Sequence, residues 1–328
     1  MKLSSLLFLL FALHFSSFSQ TINYSLPNDF STTISEKDYK TIVDQSVLIV
    51  SKRYKIENVK NGAISVNSGQ GQQLINLENL VSKCLNESDR SKWDSIIQDH
   101  FNALFNSIDQ KNKMEVHNFE SIKPYLSIRI YPNSTVQARG GTANLITRTD
   151  LEGTTTMLML DLPQAFTNVL KPDFESWHKT IEEVFKAGLE NINRQQMTKM
   201  TKAFTIDGVD IDFNFLENEN YAASYALSLE TNMPDMVGEW GSVVAIPNKG
   251  LVTICKISKT HPVEFVKFIQ RIKPLIEQSY AQHPNPVSTA FFWLYQGKFT
   301  LIPVNTDDKG NINVIAPMGL SSLMAEQK

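Results

Sequence analysis

The chain has 328 residues, 42% of them hydrophobic, with 31 basic and 34 acidic side chains and a formal charge of -3. That is enough apolar material to bury a full core without metals, disulfides or a cofactor. It also lacks the positive excess that a phosphate backbone requires, so no nucleic-acid partner is expected.

Met1-Lys2, the apolar run Leu3 to Phe15 and the small residues Ser17 and Ser19 form a signal-peptide pattern with cleavage before Gln20. An uncleaved anchor is disfavoured because the apolar core is too short to span a bilayer comfortably. No later stretch reads as a transmembrane helix, so the expected mature chain is exported, periplasmic or extracellular. Cys84 and Cys255 each sit in an apolar pattern and read as separate buried thiols, with a disulfide as the alternative.

Ser35-Glu-Lys-Asp38 caps a first helix whose apolar face is Tyr39, Ile42, Val43, Val47 and Val50. Lys60-Asn61-Gly62 turns a hairpin, Gln73 to Leu77 adds a strand, and Leu80, Val81 and Leu85 mark a short helix. Trp93, Ile96, Ile97, Phe101, Leu104 and Phe105 form the next helical stripe, and the strand Leu126 to Tyr131 closes a unit at Pro132. Leu158 to Leu162, then Ala165, Phe166, Val169 and Leu170, then Trp177, Ile181, Phe185 and Leu189 repeat the strand, short helix, long helix order 84 or 85 residues later. The spacing predicts an internal duplication.

After Thr205, Ile206, Val209, Ile211 and Phe213 alternate along a strand, and a helix is expected from about Asn218 to Glu230. Gly241 to Pro247 and Leu251 to Ile257 flank Asn248-Lys-Gly250 as a hairpin, with positive φ expected in the turn. Val263, Val266, Ile269, Ile272, Leu275, Ile276 and Tyr280 mark a helix from His261 to Gln282, with a kink or break at Pro274. Val287 to Tyr295 and Phe299 to Val304 form a second hairpin around Gln296-Gly297-Lys298, its first strand apolar on both faces. The segments predict an α+β fold of antiparallel hairpins packed on amphipathic helices. The expected divisions are 1–19, 20–132, 133–247, a C-terminal half unit 248–304, and a tail 305–328.

Motifs for chemistry are sparse. Asp207, Asp210 and Asp212 alternate as a solvated strand face rather than converging as a calcium loop, and Asn305 to Gly310 departs from an EF-hand at Lys309 and Ala316. Gly69-Gln-Gly71 precedes a strand rather than joining a strand to a helix, and Arg139-Gly140-Gly141 reads as a turn. Ser242 lacks a nucleophile elbow. His100, His117, His178, His261 and His283 never pair at metal spacing, and His261 and His283 read as helix-end residues.

Arg129-Ile-Tyr-Pro132, Met159 to Asn191, Tyr221-Ala-Ala-Ser224, Gly238-Glu239 with Val244 to Pro247, and Pro286 to Val304 with Leu294 to Lys298 together resemble the YtpQ-like family of bacterial proteins of unknown function. The resemblance implies an α+β fold and supplies no catalytic residue. The family's Arg after the equivalent of Ser224 is Tyr225 here, so an anion-binding Arg is not carried over at that position, and familiar members look cytoplasmic.

The expected function is non-catalytic binding of a protein or small-molecule partner on a sheet face or edge. The alternative is a hydrolase whose acidic and histidine residues converge only in the fold. Arg129, Tyr131, Tyr221, Glu239, Trp240 and Tyr295 combine aromatic and charged groups near element ends, and at least four are expected to share one surface.

Overall fold

Ser35 opens the first long helix as the sequence predicts, its hydroxyl accepting from the Asp38 backbone N–H at 3.1 Å. The computed structural model describes residues 21–26, 34–67, 72–138, 140–163 and 165–326. The expected signal peptide, Gly69-Gln-Gly71 and Arg139 therefore lie outside the described residues. The chain divides into two compact units, Met1–Phe101 and Asn102–Lys328.

The first unit holds β1 (Thr21–Ile22), α1 (Glu36–Ser51), β2 (Lys55–Lys60), β3 (Ala63–Asn67), β4 (Gln72–Asn76) and α2 (Glu78–Asn86). Its sheet order is β1-β2-β3-β4, with β1 parallel to β2 and the other pairs antiparallel. Asn61 and Gly62 take φ of 51° and 72° and turn β2 into β3. The α1 face Tyr39, Ile42, Val43 and Val50 is buried, as are Leu80, Val81 and Cys84 of α2. α3 (Trp93–Lys113) buries Trp93, Ile97 and Phe101, and the division between the units falls inside it, after Phe101 rather than at Pro132.

The second unit begins with α4 (Phe119–Ile122), β5 (Leu126–Pro132), α5 (Asn133–Ala138), β6 (Thr147–Arg148), β7 (Thr154–Leu162), β8 (Ala165–Asn168), α6 (Lys171–Ser176) and α7 (Ile181–Ile192). β7 is the centre of a small antiparallel sheet that pairs with β5, β6 and β8. Thr180 and Glu183 close a capping box at the start of α7. Gly188 lets this helix lie directly on β5: a Cβ there would come within 3.3 Å of the Ser127 carbonyl carbon.

Next come β9 (Thr198–Ile206), β10 (Val209–Glu217), α8 (Ala222–Tyr225), α9 (Leu229–Asn232), β11 (Ser242–Asn248), β12 (Leu251–Lys256), α10 (Glu264–Gln282), β13 (Phe291–Tyr295) and β14 (Lys298–Ile302). The strands form one antiparallel sheet, β14-β13-β11-β12-β10-β9. One face carries Val244, Ile246, Val252, Ile254, Phe292 and Leu294 into a core shared with β5, β7 and α7. The other carries Val243, Ala245, Phe213, Phe291 and Trp293 against Phe265, Phe268, Ile269 and Ile276 of α10. A ladder of β15 (Val304–Thr306) and β16 (Ile312–Val314) and the helix α11 (Met318–Glu326) complete the unit.

The fold is α+β, and both expected C-terminal hairpins are present. α10 starts three residues later than expected and continues through Pro274 instead of breaking there. Asn218 to Glu230 forms two short helices with a 3-10 turn between them rather than one helix. The β11–β12 turn has no positive φ; Asn248 closes it by accepting the Gly250 N–H on its side chain at 2.9 Å.

The two segments read as a duplication differ in topology. Ala165 to Asn168 is a strand hairpinned onto β7, where its counterpart α2 is a helix. Trp93 is the first residue of α3, whereas Trp177 follows α6 at its C-cap. Among the described residues β4 pairs with β3 alone, while β7 has three partners. Apolar spacing over four or five residues fits a short helix and a buried strand equally, which is why the pattern matched where the structure does not.

Candidate functional site

The outer face of the β5–β7–β8 sheet carries Ser127, Arg129 and Tyr131 from β5, Met157, Met159 and Asp161 from β7, and Phe166 from β8, paired opposite Asp161. Val136 of α5 packs with Met157 and Met159 there, together with Tyr131, Leu145 and Phe166. Within this apolar patch sits the guanidinium of Arg129, only 7% exposed, with its centre 3.8 Å from the centroid of the Phe166 ring. A buried cation is costly unless paired and hydrogen-bonded. Arg129 makes one long hydrogen bond, Nη2 to Asn220 Oδ1 at 3.5 Å, and its Nε has no partner among the described residues.

The nearest carboxylate on that face, Asp161, is engaged elsewhere: Tyr221 donates its phenolic O–H to Asp161 Oδ2. Burial raises the Asp161 pKa, opposed by the Tyr221 hydrogen bond and by the charge of Arg129. Burial and the same hydrogen bond push the Tyr221 phenol well above its ordinary value. Burial lowers the pKa of Arg129, while Tyr131, Asp161, Tyr221 and Glu219 act to hold it up.

Asn220 links Arg129 to a second cation. Its Oδ1 also accepts from Lys249 Nζ at 3.0 Å, so the two cationic groups lie within about two hydrogen-bond lengths of each other. Local backbone chemistry fixes this arrangement. Asn218 accepts from the N–H groups of Asn220 and Tyr221 on its side chain, setting the loop that presents Asn220. The Ala223 N–H donates to the Lys249 carbonyl, and Ser224 Oγ donates to the Ile128 carbonyl at 2.8 Å, so α8 ties the β11–β12 turn to β5. The Lys249 N–H donates to the Asn285 carbonyl, and the Asn285 N–H donates to His283 Nδ1 at 3.0 Å. Burial lowers the His283 pKa, and the charges of Lys249 and Arg129 lower it further. Beside the cluster, an open depression of about 460 Å³ is lined in part by Glu217, Asn218, Glu219, Asn248, Gly250 and His283.

The expected six-residue surface divides in two. Arg129, Tyr131 and Tyr221 gather in the cluster described. Trp240 and Tyr295 pack with the core on the α10 side of the six-stranded sheet, whereas Tyr221 packs against the core on its opposite face. There Trp293 donates its indole N–H to the Trp240 carbonyl at 2.7 Å and stacks on Tyr295 at 5.0 Å. Exposed Glu239 accepts the Lys259 N–H. Convergence of four or more of these residues is therefore corrected to three, because strand alternation puts Tyr295 on the same face as Phe291 and Trp293, toward α10, and Trp240 packs into that same core. Sequence reading missed Asp161, Phe166, Asn220 and Lys249; Lys249 was read only as a turn residue.

Other candidate chemistry resolves into structural roles. Asp307 closes a turn by accepting the N–H groups of Lys309 and Asn311. Among the described residues, no group of three or more His, Cys, Asp or Glu could hold a metal ion. Cys84 and Cys255 are free and buried, and burial pushes their pKa values up to about 11 and about 12. His117, Ser176 and Asp173 lie together, but Ser176 Oγ at 3.3 Å and Asp173 Oδ1 at 3.9 Å both face His117 Nδ1. A serine relay needs hydroxyl and carboxylate on opposite ring nitrogens. No helix among the described residues is long and apolar enough to cross a membrane. No family model, curated protein or solved structure matches the chain.

Proposed function

We propose that this chain is an exported, non-catalytic binding protein that takes a ligand or partner at the Arg129–Asn220–Lys249 cluster. The observation that carries the reading is the buried Arg129, whose Nε lacks a partner beside a second cation. Folding has already met the desolvation cost of this guanidinium, so a group that completes its hydrogen bonding gains more than it would at a solvated arginine. Export rests on the N-terminal pattern, and kinship with the YtpQ-like family on the order of the resembling segments.

The hydrolase reading has one supporting observation: Asp161, His283 and Arg129 all have shifted pKa values, and His283 lines the depression. The hydrogen bonding argues against it. Because His283 Nδ1 accepts the Asn285 N–H, the neutral ring carries its proton on Nε2 and acts as a donor, not a base. The Tyr221 phenol, held fully protonated by its raised pKa, donates to Asp161, and no serine, threonine or cysteine side chain is hydrogen-bonded to Asp161 or His283 among the described residues.

The test is mass spectrometric identification of material released on denaturing the full-length protein after native purification from the envelope fraction. A bound species that is lost in the Lys249→Gln variant is expected. Turnover of ester, phosphoester or peptide substrates that depends on His283 would overturn the reading.

A further inference from the structure

We infer that the group recognised at this cluster is a carboxylate, seated against the Nε and Nη2 of Arg129 and the Nζ of Lys249. The inference deepens the proposed binding function and rests on it. Nε and Nη2 form one edge of a guanidinium, the edge whose two parallel N–H bonds match the two oxygens of a carboxylate. Among the described residues Nε is unpartnered and Nη2 makes only its 3.5 Å bond to Asn220. An incoming carboxylate replaces that long bond with two charge-assisted ones. Asn220 Oδ1 already shows that one oxygen can reach both Arg129 and Lys249.

Phosphate fits the site less well. Phosphate sites commonly present a nest of backbone N–H groups or the N-terminus of a helix to the phosphate oxygens. The backbone N–H groups of Asn220, Tyr221, Ala223, Lys249 and Gly250 are all engaged within the protein. Glu217 and Glu219 line the adjacent depression and repel a dianion more strongly than a monoanion.

The experiment uses full-length ¹⁵N-labelled protein and follows the Arg129 Nε–H resonance, assigned by its disappearance in Arg129→Lys. The probes are sodium acetate, sodium phosphate at matched ionic strength, and one short peptide with either a free or an amidated C-terminus. Acetate is expected to shift the resonance saturably. Phosphate should need about tenfold or more higher concentration, and Lys249→Gln should weaken acetate binding by about tenfold or more, the scale of one charge-assisted hydrogen bond. Because Lys249 Nζ also donates to Asn220, the unfolding midpoint of its variant is measured alongside, and binding is compared at a temperature where both proteins are folded. If the free-terminus peptide binds more tightly than acetate and the amidated one does not bind, the carboxylate is a chain terminus. Equal binding of acetate and the free-terminus peptide assigns the site to small-molecule carboxylates. Tighter binding of phosphate than acetate, or no response of Arg129 to acetate, overturns the inference. A co-purified ligand lost in Lys249→Gln would leave the binding function standing in that case, and its absence would remove both.

Discussion

Tyr221 donates its phenolic hydrogen to Asp161, a residue 60 positions earlier in the chain, and this bond withholds a carboxylate from Arg129. Replacing Tyr221 with Phe leaves Asp161 without its hydrogen-bond donor and free to turn toward the guanidinium. The variant should lose about 1–3 kcal/mol in urea unfolding, the usual cost of orphaning a buried polar group. Its affinity for an external carboxylate should also fall, since Asp161 then competes for the same cation. Unchanged affinity together with lost stability would separate Tyr221 from the site.

Asp161 also makes a prediction about pH. Burial raises its folded pKa above 3.8, so its contribution to stability is fully present below that value and is lost as pH rises through the folded pKa. Asp161→Asn removes this titration. The wild type should therefore lose stability relative to the variant as pH rises through that range, with a flat difference at lower pH, measured by denaturant unfolding across a pH series.

His100, in the first unit, carries the opposite sign. Burial lowers its pKa from 6.5 to about 4, so the unfolded chain takes up the proton first on acidification. The stability it contributes is present above pH 6.5 and is lost as pH falls toward about 4. His100→Gln should flatten the acid limb of the stability profile in that window. An unchanged limb would show that other groups govern it.

The two tryptophans of the apparent repeat should respond differently. Trp177 donates its indole N–H to the Val116 carbonyl at 2.7 Å, whereas the indole nitrogen of buried Trp93 has no partner among the described residues. Trp177→Phe should cost about 1–3 kcal/mol from the orphaned carbonyl alone. Trp93→Phe removes no hydrogen bond and should cost less. Denaturation midpoints of the two variants check this, and equal losses would contradict it.

Gly241 has a φ of 80°, and a Cβ there would lie 2.1 Å from the Leu294 carbonyl oxygen of the neighbouring strand. Gly241→Ala should destabilise the second unit by roughly 2–4 kcal/mol, combining left-handed strain with overpacking. A wild-type unfolding midpoint would refute the close approach of β11 to β13.

The parts of this fold that could be read in the sequence are those written locally. The β11–β12 and β13–β14 hairpins announce themselves through runs of residues apolar on both faces, separated by turn chemistry, and α1 through its cap and its three- and four-residue spacing. The candidate site is written nowhere locally. Arg129, Asp161, Phe166, Asn220 and Lys249 come from five separate segments, brought together by the β5–β7 and β7–β8 pairings and by the backbone ties of α8. Trp240 and Tyr295 were grouped with Arg129 because an aromatic residue near a strand end looks the same whether it packs inward or faces a ligand. The side of the sheet it occupies separates the two cases, and that depends on register.

The claim that the Arg129–Lys249 pair awaits a carboxylate is tested most directly by supplying one within the chain. Asn220→Asp keeps the side-chain shape, and the Asn220 amide nitrogen makes no hydrogen bond that the change would break among the described residues. The variant places a carboxylate oxygen where both cations already converge. The measurement is the thermal unfolding midpoint of the full-length protein with and without sodium acetate. The account predicts a midpoint raised by roughly 2–4 °C for each kcal/mol of charge-assisted bonding gained, together with loss of the acetate response that it expects of the wild type. A midpoint at or below that of the wild type, with the acetate response intact, would contradict it.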